Sequence, residues 1–205
     1  MGDILFTIIT LSFIVAITPG PLLALIISET LKHGKGNGIK ISLAPFLTDL
    51  PILFVTIFIL SKLQDMNIIL GLISLFGAGY LTYLGVESVK TKKIHLQTTS
   101  GSKSIMKGII TNFLNPNPYI FYFSIMSPII VKAMKINFLY GPLSVMIFLG
   151  FFVAVMIAIT LSVHKGKTFF NSKNYVYTIR SLGVVLILFA LSFLRDSLQF
   201  LGVIK

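Results

Sequence analysis

Ile17-Thr18-Pro19-Gly20-Pro21-Leu22 and, 97 residues further on, Asn115-Pro116-Asn117-Pro118-Tyr119 decide how this chain is read. Each stretch sits deep inside a long apolar run, and each would break an ordinary helix. Proline removes a backbone donor and clashes with the carbonyl one turn back, costing roughly 3 kcal/mol in a water-soluble helix. In hydrocarbon the freed carbonyls tolerate no lipid contact, so broken backbone at that depth faces a cavity or another helix. Paired interruptions at matching places in two halves of a hydrophobic chain point to the binding site of a secondary transporter.

The rest of the composition agrees. Of 205 residues, 55% are hydrophobic and only 11% charged, and the mean hydropathy is +0.94, which is the profile of an integral membrane protein. The absence of Cys excludes a disulfide framework, thiol redox chemistry and cysteine metal sites. The first apolar run holds prolines and lacks a basic flank, so it reads as a retained helix and not as a cleaved signal. A net charge of +11 would suit nucleic acid, but here the basic residues fall in loops between apolar runs, so no nucleic acid is expected.

A spanning helix needs about 20 mainly apolar residues. Six stretches qualify: Ile4–Ser28, Ile41–Ser61, Met66–Val86, Gly108–Val131, Ile136–Val163 and Thr178–Leu198. The last has an uncharged stretch of only 14 residues, Ser181–Leu194, so five spans with an interfacial final helix is the alternative. The first, third and fifth loops carry 12 Lys and Arg residues and the opposite side carries 5, so the odd loops are expected in the cytoplasm with both termini outside. The polar segment 95–107 divides the chain into residues 1–94 and 108–205, with three spans in each. An odd number per half requires an inverted repeat. The expected fold is therefore an all-α integral membrane protein of six transmembrane helices, an inverted 3+3 repeat with helices one and four broken at proline, in one membrane domain.

Asp49 is the only carboxylate well inside a span. Such residues are costly in hydrocarbon, roughly 2.5–3.5 kcal/mol at a helix centre, and usually face the bundle interior. It reads as a proton-coupling group, as the counter-charge of a cationic amine, or as a structural Asp beside Thr48 and Pro51. The turn Pro19-Gly20-Pro21 offers unpaired carbonyls, and the half-helix after it offers free amides suited to a carboxylate, unless it is only a packing kink. Asn112 and Asn115, three apart before Pro116, share a helix face and would bond freed carbonyls, a polar substrate or a neighbouring helix. Glu29 near Lys32 and His33 reads as a solvated interfacial cluster. Tyr80, Tyr83, Tyr119 and Tyr122 read mostly as packing or interface anchors, and Gly77, Gly79 and Gly85 as small-residue contacts. The histidines are scattered, no metal or cofactor is implied, and no catalytic set or phosphate loop appears.

Taken in order, these residues resemble a known family. Thr18-Pro19-Gly20-Pro21, Gly34-Lys35-Gly36-Asn37-Gly38 and Asp49 are similar to the first half of the LysE/RhtB amino-acid exporters. So are Gly79-Tyr80-Leu81-Thr82-Tyr83-Leu84-Gly85 and Lys107-Gly108-Ile109-Ile110-Thr111-Asn112-Phe113-Leu114-Asn115-Pro116, with Arg180-Ser181-Leu182-Gly183 a looser match. The resemblance covers nearly the whole chain. It implies a six-span exporter of amino acids driven by the proton motive force, with Pro19, Gly20, Pro21, Asp49, Asn112, Asn115 and Pro116 around the translocation path. Ala44 and Thr48 stand where the family usually has glycine, with an added Pro45, so packing at that face and the substrate are left open. Superfamily branches that move electrons require cysteines, and a cation exporter would need more ligands than one carboxylate.

The expected partners are the lipid bilayer, a small-molecule substrate such as an amino acid, protons and a second copy of the chain. The expected location is the cytoplasmic membrane of a prokaryotic cell, as a multi-pass protein. A non-transporting membrane scaffold is the alternative of a different class; it would have no need for the two breaks.

Overall fold

A computed structural model describes residues 2–56, 66–90, 101–166 and 172–204. Among them the secondary structure is helical throughout: α1 (Gly2–Ile17), α2 (Pro21–His33), α3 (Lys35–Ser42), α4 (Ala44–Phe54), α5 (Met66–Val89), α6 (Gly101–Phe113), α7 (Pro116–Phe121), α8 (Ser127–Ile136), α9 (Tyr140–Gly166) and α10 (Ser172–Phe200). A π-turn, Tyr122–Met126, joins α7 to α8, so Pro116–Ile136 runs on as one 21-residue rod.

The breaks fall where the prolines dictate. The last regular bond of α1 runs from the Thr18 amide to the Ile14 carbonyl, and the next runs from Ala24 to Gly20. Between them the carbonyls of Val15 and Ile17 lose their donors because the residues four ahead are Pro19 and Pro21. α2 then starts with Pro21 in its first turn, a position where a missing N–H costs nothing. The two pieces meet at 60°. The second break follows the same logic: Pro116 and Pro118 stand four residues after Asn112 and Leu114.

One expectation needs correction. The second span was expected to be a single helix, but it is interrupted at Leu43, between α3 and α4. Pro45 is the cause, since it has no N–H to give the Ile41 carbonyl four residues back and sits in the first turn of a new helix. Three of the expected spans are therefore interrupted, not two; residues 57–61 of the expected second span lie outside the described residues. Within the polar segment 95–107, Gly101–Lys107 is helical and forms the first turns of α6; residues 95–100 lie outside the described residues.

Four rods, Asn67–Val89, Pro116–Ile136, Tyr140–Gly166 and Val176–Phe200, are long and apolar enough to cross a bilayer, and the bent pair α1–α2 makes a fifth. The outside is apolar, with Phe6, Phe13, Phe76, Leu188 and Leu191 all more than half exposed. The inside holds the polar groups: Ser12, Thr48, Asp49, Asn112, Ser144 and Thr160 are all buried. That inversion of the water-soluble pattern suits lipid outside and hydrogen-bonded helix contacts inside.

Packing joins the two halves. α5 lies along α10, α1 along α9, and α3 and α4 against α6. At the α5–α10 crossing a Cβ on Gly85 would lie 2.8 Å from the Gly183 carbonyl, and one on Gly183 would lie 2.8 Å from the Gly85 carbonyl. Only glycine on both helices allows that approach. One core, around Leu25, Phe152, Met156, Leu186 and Phe193, and a second, around Ile8, Ile52, Tyr122, Phe148 and Leu149, flank the breaks.

Candidate functional site

Both major breaks open onto one cavity of about 190 Å³. Its floor is the first break, Thr18 to Leu23, and one wall is the second, from Asn115 to Tyr122. Asp49 and Asn112 face it from α4 and α6, and Phe148, Phe152 and Met156 close it from α9. Six of the seven residues expected on the path therefore line one space: Pro19, Gly20, Pro21, Asp49, Asn112 and Asn115. Pro116 does not; it is buried in the first turn of α7, while Asn117 and Pro118 face the cavity.

Asp49 is 6% exposed and holds three donors. Its Oδ1 accepts from Asn112 Nδ2 at 2.6 Å and from Thr48 Oγ1 at 3.2 Å, and its Oδ2 accepts from Tyr122 Oη at 2.8 Å. Asn112 Nδ2 also reaches Thr48 Oγ1 at 2.6 Å, and Thr48 lies 3.1 Å from the Ala44 carbonyl one turn back. A buried carboxylate with three hydrogen bonds is chemically satisfied without a cation. Among the described residues no Lys, Arg or His pairs with it. The hydrogen bonds to its oxygens thus come from neutral side chains, Thr48, Asn112 and Tyr122.

The two breaks are not equivalent at their helix starts. Asn115, in extended backbone, caps α7: its Oδ1 accepts from the Asn117 amide at 3.0 Å. α2 has Gly20 at the corresponding position, with no side-chain cap. The first amides of a helix have no acceptor within it, so those of Leu22 and Leu23, both lining the cavity, are open to an anion. The freed carbonyl of Phe113 is met by Tyr119 Oη at 3.1 Å. Of the three expectations for Asn112 and Asn115, Asn112 meets the bond to a neighbouring helix, through Thr48 and Asp49 of α4, while Asn115 caps the helix that follows it.

Tyr119 and Tyr122 correct the reading of the tyrosines as packing or anchors: Tyr119 spends its hydroxyl on the second break and Tyr122 spends its own on Asp49. Tyr122 stands 73 residues from Asp49, so the contact depends on helix arrangement; its position six residues after Pro116 was the only local hint. The aromatic wall was likewise missed. Phe121 stacks on Phe148 at 5.2 Å between centroids, and Phe148 on Phe152 at 5.9 Å. This makes one side of the cavity apolar and the other polar.

Glu29 also departs from expectation. It is not a solvated residue but 2% exposed, and its Oε1 lies 3.1 Å from Lys107 Nζ. Lys107 pairs equally with Glu87 at 3.1 Å, while Lys32 Nζ donates to Ser88 Oγ at 2.8 Å. Burial pulls the Lys107 ammonium down, but Glu29 and Glu87 outweigh it, so its pKa lies above the ordinary lysine value and it stays charged. The cluster ties α2, α5 and α6 at their lysine-rich ends.

A multi-pass helical bundle whose broken helices converge on a polar, half-aromatic cavity is the architecture of a membrane transporter. The family model of LysE-type translocators matches residues 13–197, and the chain belongs to that family. No curated protein and no solved structure matches it.

Proposed function

We propose that this protein is a secondary transporter that exports amino acids or similarly small zwitterionic metabolites, driven by the proton motive force. The observation that carries the reading is a cavity lined both by a carboxylate, Asp49, and by the residues of the uncapped start of α2. An α-carboxylate suits the amides of Leu22 and Leu23, and an α-ammonium suits Asp49. The substrate side chain then rests on Phe121, Phe148, Phe152 and Met156. The site residues of the path are Pro19, Gly20, Pro21, Asp49, Asn112 and Asn115, with Pro116 setting the second break and Thr48 and Tyr122 added.

Coupling follows from competition. Protonation of Asp49 removes the negative charge that a substrate ammonium would pair with, so a proton and the ammonium compete for the one carboxylate. A proton arriving from outside displaces the substrate outward, and its release inside readies the carboxylate for the next one. Mutually exclusive binding is the thermodynamic requirement for exchange.

The helix pairing supports six spans in an inverted 3+3 repeat, residues 1–94 and 108–205. Contacts of span one with five, two with four, and three with six map onto each other when the halves are exchanged. Gly85 and Gly183, which meet at the three–six crossing, are 98 residues apart, one more than Pro19 and Pro116. The lysine bias supports cytoplasmic odd loops in the cytoplasmic membrane of a prokaryote, with both termini outside; a second copy of the chain is a proposed partner.

The test is Asp49→Asn in cells or vesicles with an imposed pH gradient. Export should be lost and its pH dependence flattened. Normal export with unchanged pH dependence would remove Asp49 from coupling.

A further inference from the structure

A second cavity of about 200 Å³ lies between α2, α5 and α6, lined by Glu29, Tyr83, Glu87, Lys103, Ser104 and Lys107. It shares no lining residue with the central one. We infer that this is a separate binding site for the α-amino and α-carboxylate groups of a zwitterionic amino acid, through which substrate enters from the lysine-rich side.

Charge is the first argument. The lining residues comprise two carboxylates and two ammonium groups, so an ion of either sign would unbalance the site and a zwitterion would not. The carboxylates come from different helices and share one cation, Lys107, at 3.1 Å each. A ligand ammonium can take over one carboxylate, which frees Lys107 to meet the ligand carboxylate. Internal pairs are thereby exchanged for external ones with no charge left bare, which matters where burial makes an unpaired charge costly.

An unsatisfied group is the second. Ser104 is one of the residues lining the cavity, it is 1% exposed, and its Oγ, just beneath the cavity surface, has no hydrogen-bond partner among the described residues. Buried hydroxyls are rarely left so. Ser104 precedes Lys107 by three residues, hence on the same face of α6, and the two form a hydroxyl–ammonium pair suited to a carboxylate. The cavity is also graded: Glu29 and Ser104 are buried, whereas the Glu87 side chain is 37% exposed and Lys103 is at the surface. A ligand would meet the outer pair first and the inner pair second.

Position is the third. Lys107 and Asn112 lie five residues apart on α6, about 7.5 Å along the axis at 1.5 Å per residue. The helix that would bind substrate here is therefore the helix whose Asn112 holds Asp49. Only the identification of the ligand with the exported molecule rests on the exporter reading.

The chain contains no Trp, so Tyr83→Trp places a single reporter on this cavity, with Phe138→Trp, in the segment before α9, as control. Purified Tyr83→Trp protein is titrated with L-leucine, L-threonine, leucinamide and 4-methylpentanoate, and export by the wild-type protein is recorded alongside. The site predicts a saturable change with both amino acids and binding at least about tenfold weaker for either single-charge analogue. The signal should survive Asp49→Asn, which disables the central cavity, and weaken about 10- to 100-fold in Glu87→Gln and Ser104→Ala. No signal, a leucinamide response equal to that of leucine, or a signal lost in Asp49→Asn but kept in Glu87→Gln would overturn the site. If the wild type exports amino acids without a reporter signal, only this site falls. If the reporter responds and nothing is exported, only the exporter reading falls.

Discussion

Asn112 on α6 donates through Nδ2 to Asp49 Oδ1 on α4 at 2.6 Å. That bond ties two interrupted spans at the cavity, one interrupted at Leu43 and the other at Asn115. A shift of α6 relative to α4 cannot occur without changing what the carboxylate accepts. The carboxylate's hydrogen bonding and the relative position of α4 and α6 are thus linked, which is the link that the proposed alternating access would use.

Tyr122→Phe tests the hydroxyl that serves Asp49 Oδ2. The ring and its contacts with Phe121 and Phe148 remain, so the substitution removes one hydrogen bond to a charged acceptor. Export should fall about 10- to 100-fold at equal membrane abundance. Export at the wild-type rate would show that the hydroxyl plays no part.

Asn115 separates structure from transport. As the cap of α7 it should tolerate Asn115→Asp, which keeps the acceptor, whereas Asn115→Ala should cost about 1 kcal/mol of stability. Thermal unfolding in detergent measures both. Equal losses for the two variants would mean that its amide NH₂ matters more than its capping oxygen.

Combining Pro19→Ala with Pro116→Ala restores helix-forming residues at both breaks. The expected result is normal membrane insertion with export abolished, measured as amino acid appearing outside cells. A membrane scaffold would keep its role with straightened helices, so full retention of export would argue that the breaks are only kinks.

Gly85→Val places atoms against the Gly183 carbonyl and Ile187. Overpacking of this kind costs about 1–3 kcal/mol, and a lowered midpoint of thermal unfolding should report it. Gly79→Ala, six residues earlier where no neighbour lies within 4 Å, should leave the midpoint unchanged or raise it.

Proline chemistry acts over four residues, so the two breaks were legible in the chain, and Pro45 carried the same signal for Leu43 without being used. Asp49 was legible because a lone carboxylate in an apolar run must face inward. What joins the pieces was not. Tyr122, Phe148 and Phe152 reach the cavity by tertiary packing, and a one-dimensional apolar run does not say which aromatic faces lipid and which faces a neighbour. Glu29 was misread for the same reason: its partner Lys107 and the Glu87 that shares it lie 78 and 58 residues away, and only the meeting of α2, α5 and α6 turns an interfacial carboxylate into a buried one.

The most direct test of the account is export from cells made to overaccumulate amino acids, with and without this chain, measured across the whole free amino-acid pool of the medium. The account predicts selective enrichment of one class of amino acid, abolished by an uncoupler. No enrichment of any amino acid, with the protein confirmed in the membrane, would contradict it.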